Sequence, residues 1–146
     1  MGQDGKRMEK ALEKKLVRKA LGARKRSYAP YSHYQVGAAL LTWEGRIYQG
    51  GNVENASYGA CCCAERNAIF RAVNEGERRF LAIAVAGGME GEAPREYAFP
   101  CGICRQVMKE FADEDFLIFV AKSEDDYKSY SLGELLPYGF GGSSII

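Results

Sequence analysis

Apolar residues at Met8, Leu12, Leu16 and Ala20 recur every fourth position, and Ala11, Val17 and Leu21 widen the stripe. That period predicts an amphipathic helix over 6–26, with lysines and arginines crowding its outer face. Such a charged face is ordinarily a solvated one. Pro30 breaks the helical pattern, and the apolar run 36–41 (VGAALL) reads as a strand. Glu44 and Gly45 make a turn, and 46–48 begin a return strand, which predicts a hairpin. The loop GGNVENASYGA follows. Helical spacing resumes over 64–74 (AERNAIFRAVN), with Ala68, Ile69, Ala72 and Val73 apolar. The run 80–86 (FLAIAVA) is nearly all apolar, as expected of a central strand covered on both faces. A second helix is predicted over 102–112, with Ile103, Val107, Met108 and Phe111 inward. A buried strand follows at 116–121 (FLIFVA), and 127–130 suit a short edge strand. Ser131 to Glu134 has the form of a capping box, opening a brief helix that Pro137 ends.

Strands alternating with helices predict an α/β fold, one central sheet with helices on both faces. A chain of 146 residues suits one domain spanning 1–146, with 1–5 as a disordered tail. The formal net charge of +1 weighs against a long polyanion as partner. The polar, charged N-terminus is unlike a secretory signal, and no run approaches the roughly 18–20 apolar residues of a membrane helix. These features predict a cytoplasmic protein. In that compartment five cysteines suit a metal or catalysis better than disulfides.

The cysteines fall into two groups, CCC at 61–63 and the C-x-x-C pair Cys101 and Cys104. A catalytic zinc takes three protein ligands and leaves one position open, whereas a structural zinc takes four. Cys63 immediately precedes one predicted helix. Cys101, with Pro100 before it, opens the other. At helix N-termini the macrodipole and free N–H groups favour thiolates, the metal-binding form. Cys61 and Cys62 lie further back, where loop packing is their expected role. Glu65 sits in the first turn after Cys63, placed to take a proton from a metal-activated water without binding the metal. Two other readings stay open here: a redox C-x-x-C pair, and a closed structural site completed by His33 or a second cysteine of the triplet.

The stretches YAPYSHYQVGAALL, NVENASY, CAERNA, PCGICRQ and the ELLP…FG tail resemble the small, homotetrameric type of cytidine deaminase, from about Tyr28 to Gly141. The resemblance implies a three-layer α/β/α sandwich with a mixed sheet of about five strands. It implies one Zn2+ per subunit on Cys63, Cys101 and Cys104, with Glu65 as proton shuttle. Arg66 would donate hydrogen bonds to the thiolates, offsetting their excess negative charge. Asn52 and Glu54 would hold a ribose 3′-hydroxyl, and the backbone at Ala56 and Ala64 the pyrimidine edge. Tyr34 stands where the family usually has phenylalanine, against the base. Tyr58 and Phe140 would complete a neighbour's site in a homotetramer. The implied reaction is hydrolytic deamination of cytidine and 2′-deoxycytidine, in pyrimidine salvage. The competing expectations are a polynucleotide deaminase, a deaminase for a related antibiotic nucleoside, and a non-enzymatic zinc module.

Overall fold

A computed structural model describes residues 8–145. The predicted tail at 1–5 and the first two residues of the predicted 6–26 helix lie outside them. Helix α1 spans Lys10–Ala23 and tightens into a 3-10 turn at Arg24–Arg26. Strands β1 (Tyr34–Thr42) and β2 (Ile47–Gly51) form the expected hairpin, with Gly45 in the left-handed region at the turn. Helix α2 (Ala64–Asn74), strand β3 (Phe80–Met89), helix α3 (Gly102–Phe111) and strand β4 (Leu117–Ser123) follow. Strand β5 (Asp126–Ser131) then leads into α4 (Leu132–Leu135), which has the capping box expected at Ser131 and Glu134.

The strands form one five-stranded sheet in the order β2-β1-β3-β4-β5. Only β3 and β4 run parallel, joined by the crossover that contains α3. Strand alternation sends neighbouring residues into two separate cores. Ala39 and Leu41 of β1, with Ala82, Ala84 and Ala86 of β3 and Phe119 of β4, pack on Leu16, Val17 and Ala20 of α1. Ala38, Leu40, Ile83, Ile118 and Val120 face the other way, onto Ala68, Ile69 and Ala72 of α2, Met108 of α3 and Leu132 of α4. This is the predicted three-layer sandwich.

The second layer places two helix N-termini side by side. Helix α2 lies close on β2: a Cβ at Gly50 would come within 2.5 Å of the Ala68 amide nitrogen and 2.6 Å of the Ala64 carbonyl oxygen. One prediction for α3 is corrected. Ile103 is not inward but 62% exposed, while Cys104 and Met108 are buried and Val107 and Phe111 are partly so. The 100° step per residue gives Cys104 the core-facing position in the first turn and turns its neighbour outward.

Candidate metal centre and active site

Cys63 is the N-cap of α2 and Cys101 the N-cap of α3, both with extended backbone. Cys104 lies one turn into α3, buried. The three sulfur atoms lie within 4.8 Å of one another, Cys63 and Cys101 at 3.8 Å. Among the described residues no fourth His, Cys, Asp or Glu joins this cluster. Arg66, one turn into α2, donates from Nη2 to Cys63 Sγ at 3.5 Å. Hydrogen bonding from Cys104, then from Arg66 and Cys101, pulls the Cys63 thiol down to about 5, against the opposing effect of burial. Cys104 moves the other way: it keeps the proton that it shares with Cys63, and burial reinforces this. The Arg66 guanidinium is raised above its ordinary value, first by its bond to Cys63. Its Nε is buried and has no hydrogen-bond partner.

Glu65 occupies the first turn of α2 and is only 3% exposed. Burial pushes its carboxyl up to about 7, and the neighbouring Cys63 charge adds to the effect. A carboxyl that gains and loses a proton near neutral pH suits general acid–base work.

The sequence profile of the cytidine and deoxycytidylate deaminase zinc-binding region matches residues 10–120. The chain belongs to this deaminase family. A cytidine deaminase of Halalkalibacterium halodurans is 44% identical over 125 residues, covering 86% of this chain and 91% of its own. One from Sporosarcina psychrophila is 41% identical over 131 residues, 90% of this chain and 93% of its own. The crystal structure of the Burkholderia pseudomallei cytidine deaminase superposes with a TM-score of 0.79 at 44% identity, covering 86% of this chain and 97% of that one.

The donor set fits the zinc of this deaminase family. Three sulfurs close enough to share one ion, with no fourth protein donor among the described residues, match a site that keeps a position open. Three thiolates and Zn2+ sum to −1, and Arg66 supplies a compensating cation at the sulfurs. His33 stands apart: it is exposed, with left-handed backbone, and its Nδ1 lies 3.4 Å from Glu90 Oε1. Cys62 is held by a backbone bridge to Val53, and the Cys61 sulfur accepts from the Asn55 amide at 3.3 Å.

The remaining residues singled out in the deaminase motifs differ in burial and in the partners they hold. Asn52 braces the start of β1: its Oδ1 accepts from the Val36 amide at 2.8 Å and its Nδ2 donates to the Tyr34 carbonyl at 2.9 Å. Glu54 accepts from the Ser32 hydroxyl and from the amides of Tyr31 and Ser32, at 3.0 and 3.1 Å. Those donors, the Ser32 hydroxyl first, hold its carboxyl below the usual range. Glu54 and Tyr58 line a hollow of about 340 Å³ with Tyr31, Ser32, Asn55 and Cys61. Tyr34 lies against β3, where a Cβ at Gly87 would come within 2.9 Å of its ring. Ala64 is buried at the start of α2, whereas Ala56 is exposed. Tyr58 is 77% exposed and Phe140 58%, so among the described residues neither ring is buried.

Sequence reasoning passed over two supports of the site. Asn67 Nδ2 donates to the Gly51 carbonyl at 2.7 Å, tying α2 to the end of β2. Arg105 donates from Nε to the Pro100 carbonyl and from Nη1 to the Leu135 carbonyl, both at 2.7 Å. Their sequence signal was their place directly inside the CAERNA and PCGICRQ stretches. Nothing in residue type alone separates such a clamp from a surface arginine or asparagine.

Proposed function

We propose that this chain catalyses zinc-dependent hydrolytic deamination of cytidine and 2′-deoxycytidine, giving uridine or 2′-deoxyuridine and ammonia. The observation that carries the reading is a buried carboxyl, poised near neutral pH, beside three clustered thiols at two helix N-termini. Zinc held by Cys63, Cys101 and Cys104 supplies Lewis acidity, bringing the pKa of water down toward ~7. Glu65 accepts a proton from the attacking water and delivers it to ring nitrogen 3. As the water oxygen bonds to carbon 4, Glu65 takes the second proton from the new hydroxyl there to the exocyclic amino group, so that the C–N bond breaks and ammonia departs while a carbonyl remains. One water is consumed and one C–N bond is broken. Arg66 stabilises the thiolate form of Cys63 through its hydrogen bond.

Substrate contacts follow the family motifs. Asn52 and Glu54 hold the ribose 3′-hydroxyl. The Asn52 amide keeps one Nδ2 proton beyond its bond to Tyr34, and the depressed Glu54 carboxyl stays an acceptor at neutral pH. Backbone groups at Ala56 and Ala64 meet the pyrimidine edge, and the Tyr34 ring flanks the base. Tyr58 and Phe140 reach a neighbouring subunit's site in a homotetramer of one-domain chains. Their exposure supports this, since large bare aromatic rings mark interaction surfaces. We place the enzyme in the cytoplasm, in pyrimidine salvage; no helix among the described residues is long and apolar enough to cross a membrane.

The test is direct. Purified, zinc-loaded protein is incubated with cytidine and the loss of the cytosine absorbance is followed. Turnover that a chelator abolishes and zinc restores is the expected result; no turnover would overturn the assignment. Faster deamination of a single-stranded oligonucleotide than of the nucleoside would replace it with polynucleotide chemistry. Sedimentation of the intact protein tests the tetramer.

A further inference from the structure

Helix α3 does more than present two of the three thiols. Its backbone and side chains grip the segments on either side. The Arg105 amide donates to the Cys101 carbonyl at 3.0 Å, closing the first turn. The Arg105 side chain reaches back to the carbonyl of Pro100, which is buried, and across to that of Leu135, the last residue of α4. That second carbonyl is one of the acceptors a helix C-terminus leaves unpaired. The next residue, Gln106, donates from Nε2 to the Phe140 carbonyl at 2.9 Å.

Two consecutive side chains of α3 therefore hold both ends of the stretch 135–140. Within it Tyr138 has left-handed backbone and is fully exposed. Gly139 is packed so closely on Leu136 that a Cβ would come within 2.7 Å of that side chain. The stretch is a tight outward loop that ends at the exposed Phe140 ring. Its anchors stand directly after Cys104 in the same helix, so fixing the N-terminus of α3 through its sulfurs fixes the anchors too.

We propose that Arg105 and Gln106 are positioning residues that couple zinc binding on Cys101 and Cys104 to the posture of the Phe140 segment. Its catalytic consequence rests on the reading given under Proposed function, in which Phe140 serves a substrate site. The structural coupling does not. Arg105 needs both arms of its fork, which a lysine ammonium cannot reproduce in that geometry. Gln106 needs a donor; a glutamate of the same length offers only acceptors to the Phe140 carbonyl.

The experiment compares wild type, Arg105→Lys and Gln106→Glu, with Gln106→Ala as a milder variant should either destabilise the fold. Amide exchange over residues 138–141 is measured on the full chain, with zinc and after chelation. Zinc content, kcat and KM for cytidine are measured in parallel. In wild type, removing zinc should speed exchange in this stretch by roughly 3- to 10-fold, the effect of losing about one hydrogen bond. The zinc-loaded Gln106 variants should already exchange at that faster rate and respond little to chelation. They should keep full zinc content and show a KM increase larger than any fall in kcat. Arg105→Lys should show the same exchange behaviour together with weaker zinc retention. A zinc-dependent exchange difference that persists in all three variants overturns the coupling, as does a wild type with no such difference. Absence of cytidine turnover in wild type would instead sink the functional reading, leaving the exchange result to decide the coupling.

Discussion

Glu65→Gln separates two consequences of burying one carboxyl. The wild-type group rises from 4.5 to about 7 because it is only 3% exposed. At 1.36 kcal/mol per pH unit, that difference is worth about 3 kcal/mol. The sign follows from linkage. In metal-free protein the folded chain holds the Glu65 proton more tightly than the unfolded chain does. The resulting stability is present in full below pH 4.5 and is lost as pH rises through about 7. Cys63, held down at about 5, works in the opposite sense: its contribution grows as pH rises above that value. The wild-type profile alone therefore mixes the two effects. Glutamine is neutral throughout and nearly the same shape, so subtracting the two profiles isolates Glu65. Denaturant unfolding of the chelated proteins should show the variant gaining on wild type by about 3 kcal/mol between pH 4.5 and pH 8. With zinc restored, the same variant should retain its metal and lose about 10²- to 10⁴-fold in kcat, the usual worth of a positioned acid–base. A stability difference that is flat across the pH range refutes the burial argument. A kcat within tenfold of wild type removes Glu65 from the proton path.

Three further outcomes test the surrounding structure. Cys63→Ser should lower zinc content while Cys62→Ser leaves it unchanged, because only the former sulfur lies with Cys101 and Cys104; metal analysis that finds the reverse would reassign the ligand. Arg66→Gln removes the cation at Cys63 and should weaken zinc retention by about 10- to 100-fold in competition with a colorimetric chelator. Unchanged retention would show that this bond does not tune the centre. Gly50→Ala drives a methyl to within 2.6 Å of the α2 backbone and should cost at least about 1–3 kcal/mol in thermal or denaturant unfolding. An unchanged melting curve would refute the close β2–α2 contact.

Most of the α/β order was readable from the chain because apolar periodicity and burial coincide in it. The apolar spacing of 64–74 is that of a helix, and the segment is one, bound for bound, since Ala68, Ile69 and Ala72 meet one core while Cys63 caps the start. The uninterrupted run after Phe80 marked a strand sandwiched between two cores. Ile103 misled because local hydrophobicity cannot say which neighbour in a first turn takes the inward position; Cys104 takes it.

Residue types and spacing pointed to a metal centre: a cysteine two residues before an acid, then a C-x-x-C pair after proline, each at a helix start. Local backbone geometry alone puts thiols and free N–H groups together there. Only the packed sheet decided the rest. It brings two helix starts 38 residues apart in sequence to a sulfur separation of 3.8 Å, and it buries Glu65 enough to hold a proton near neutral pH. It also directs the Asn52 amide to β1 and the second arm of the Arg105 fork to the distant Leu135 carbonyl. Distances across the fold and the loss of water around a charge are properties of the assembled layers, and no pattern along the chain encodes them locally.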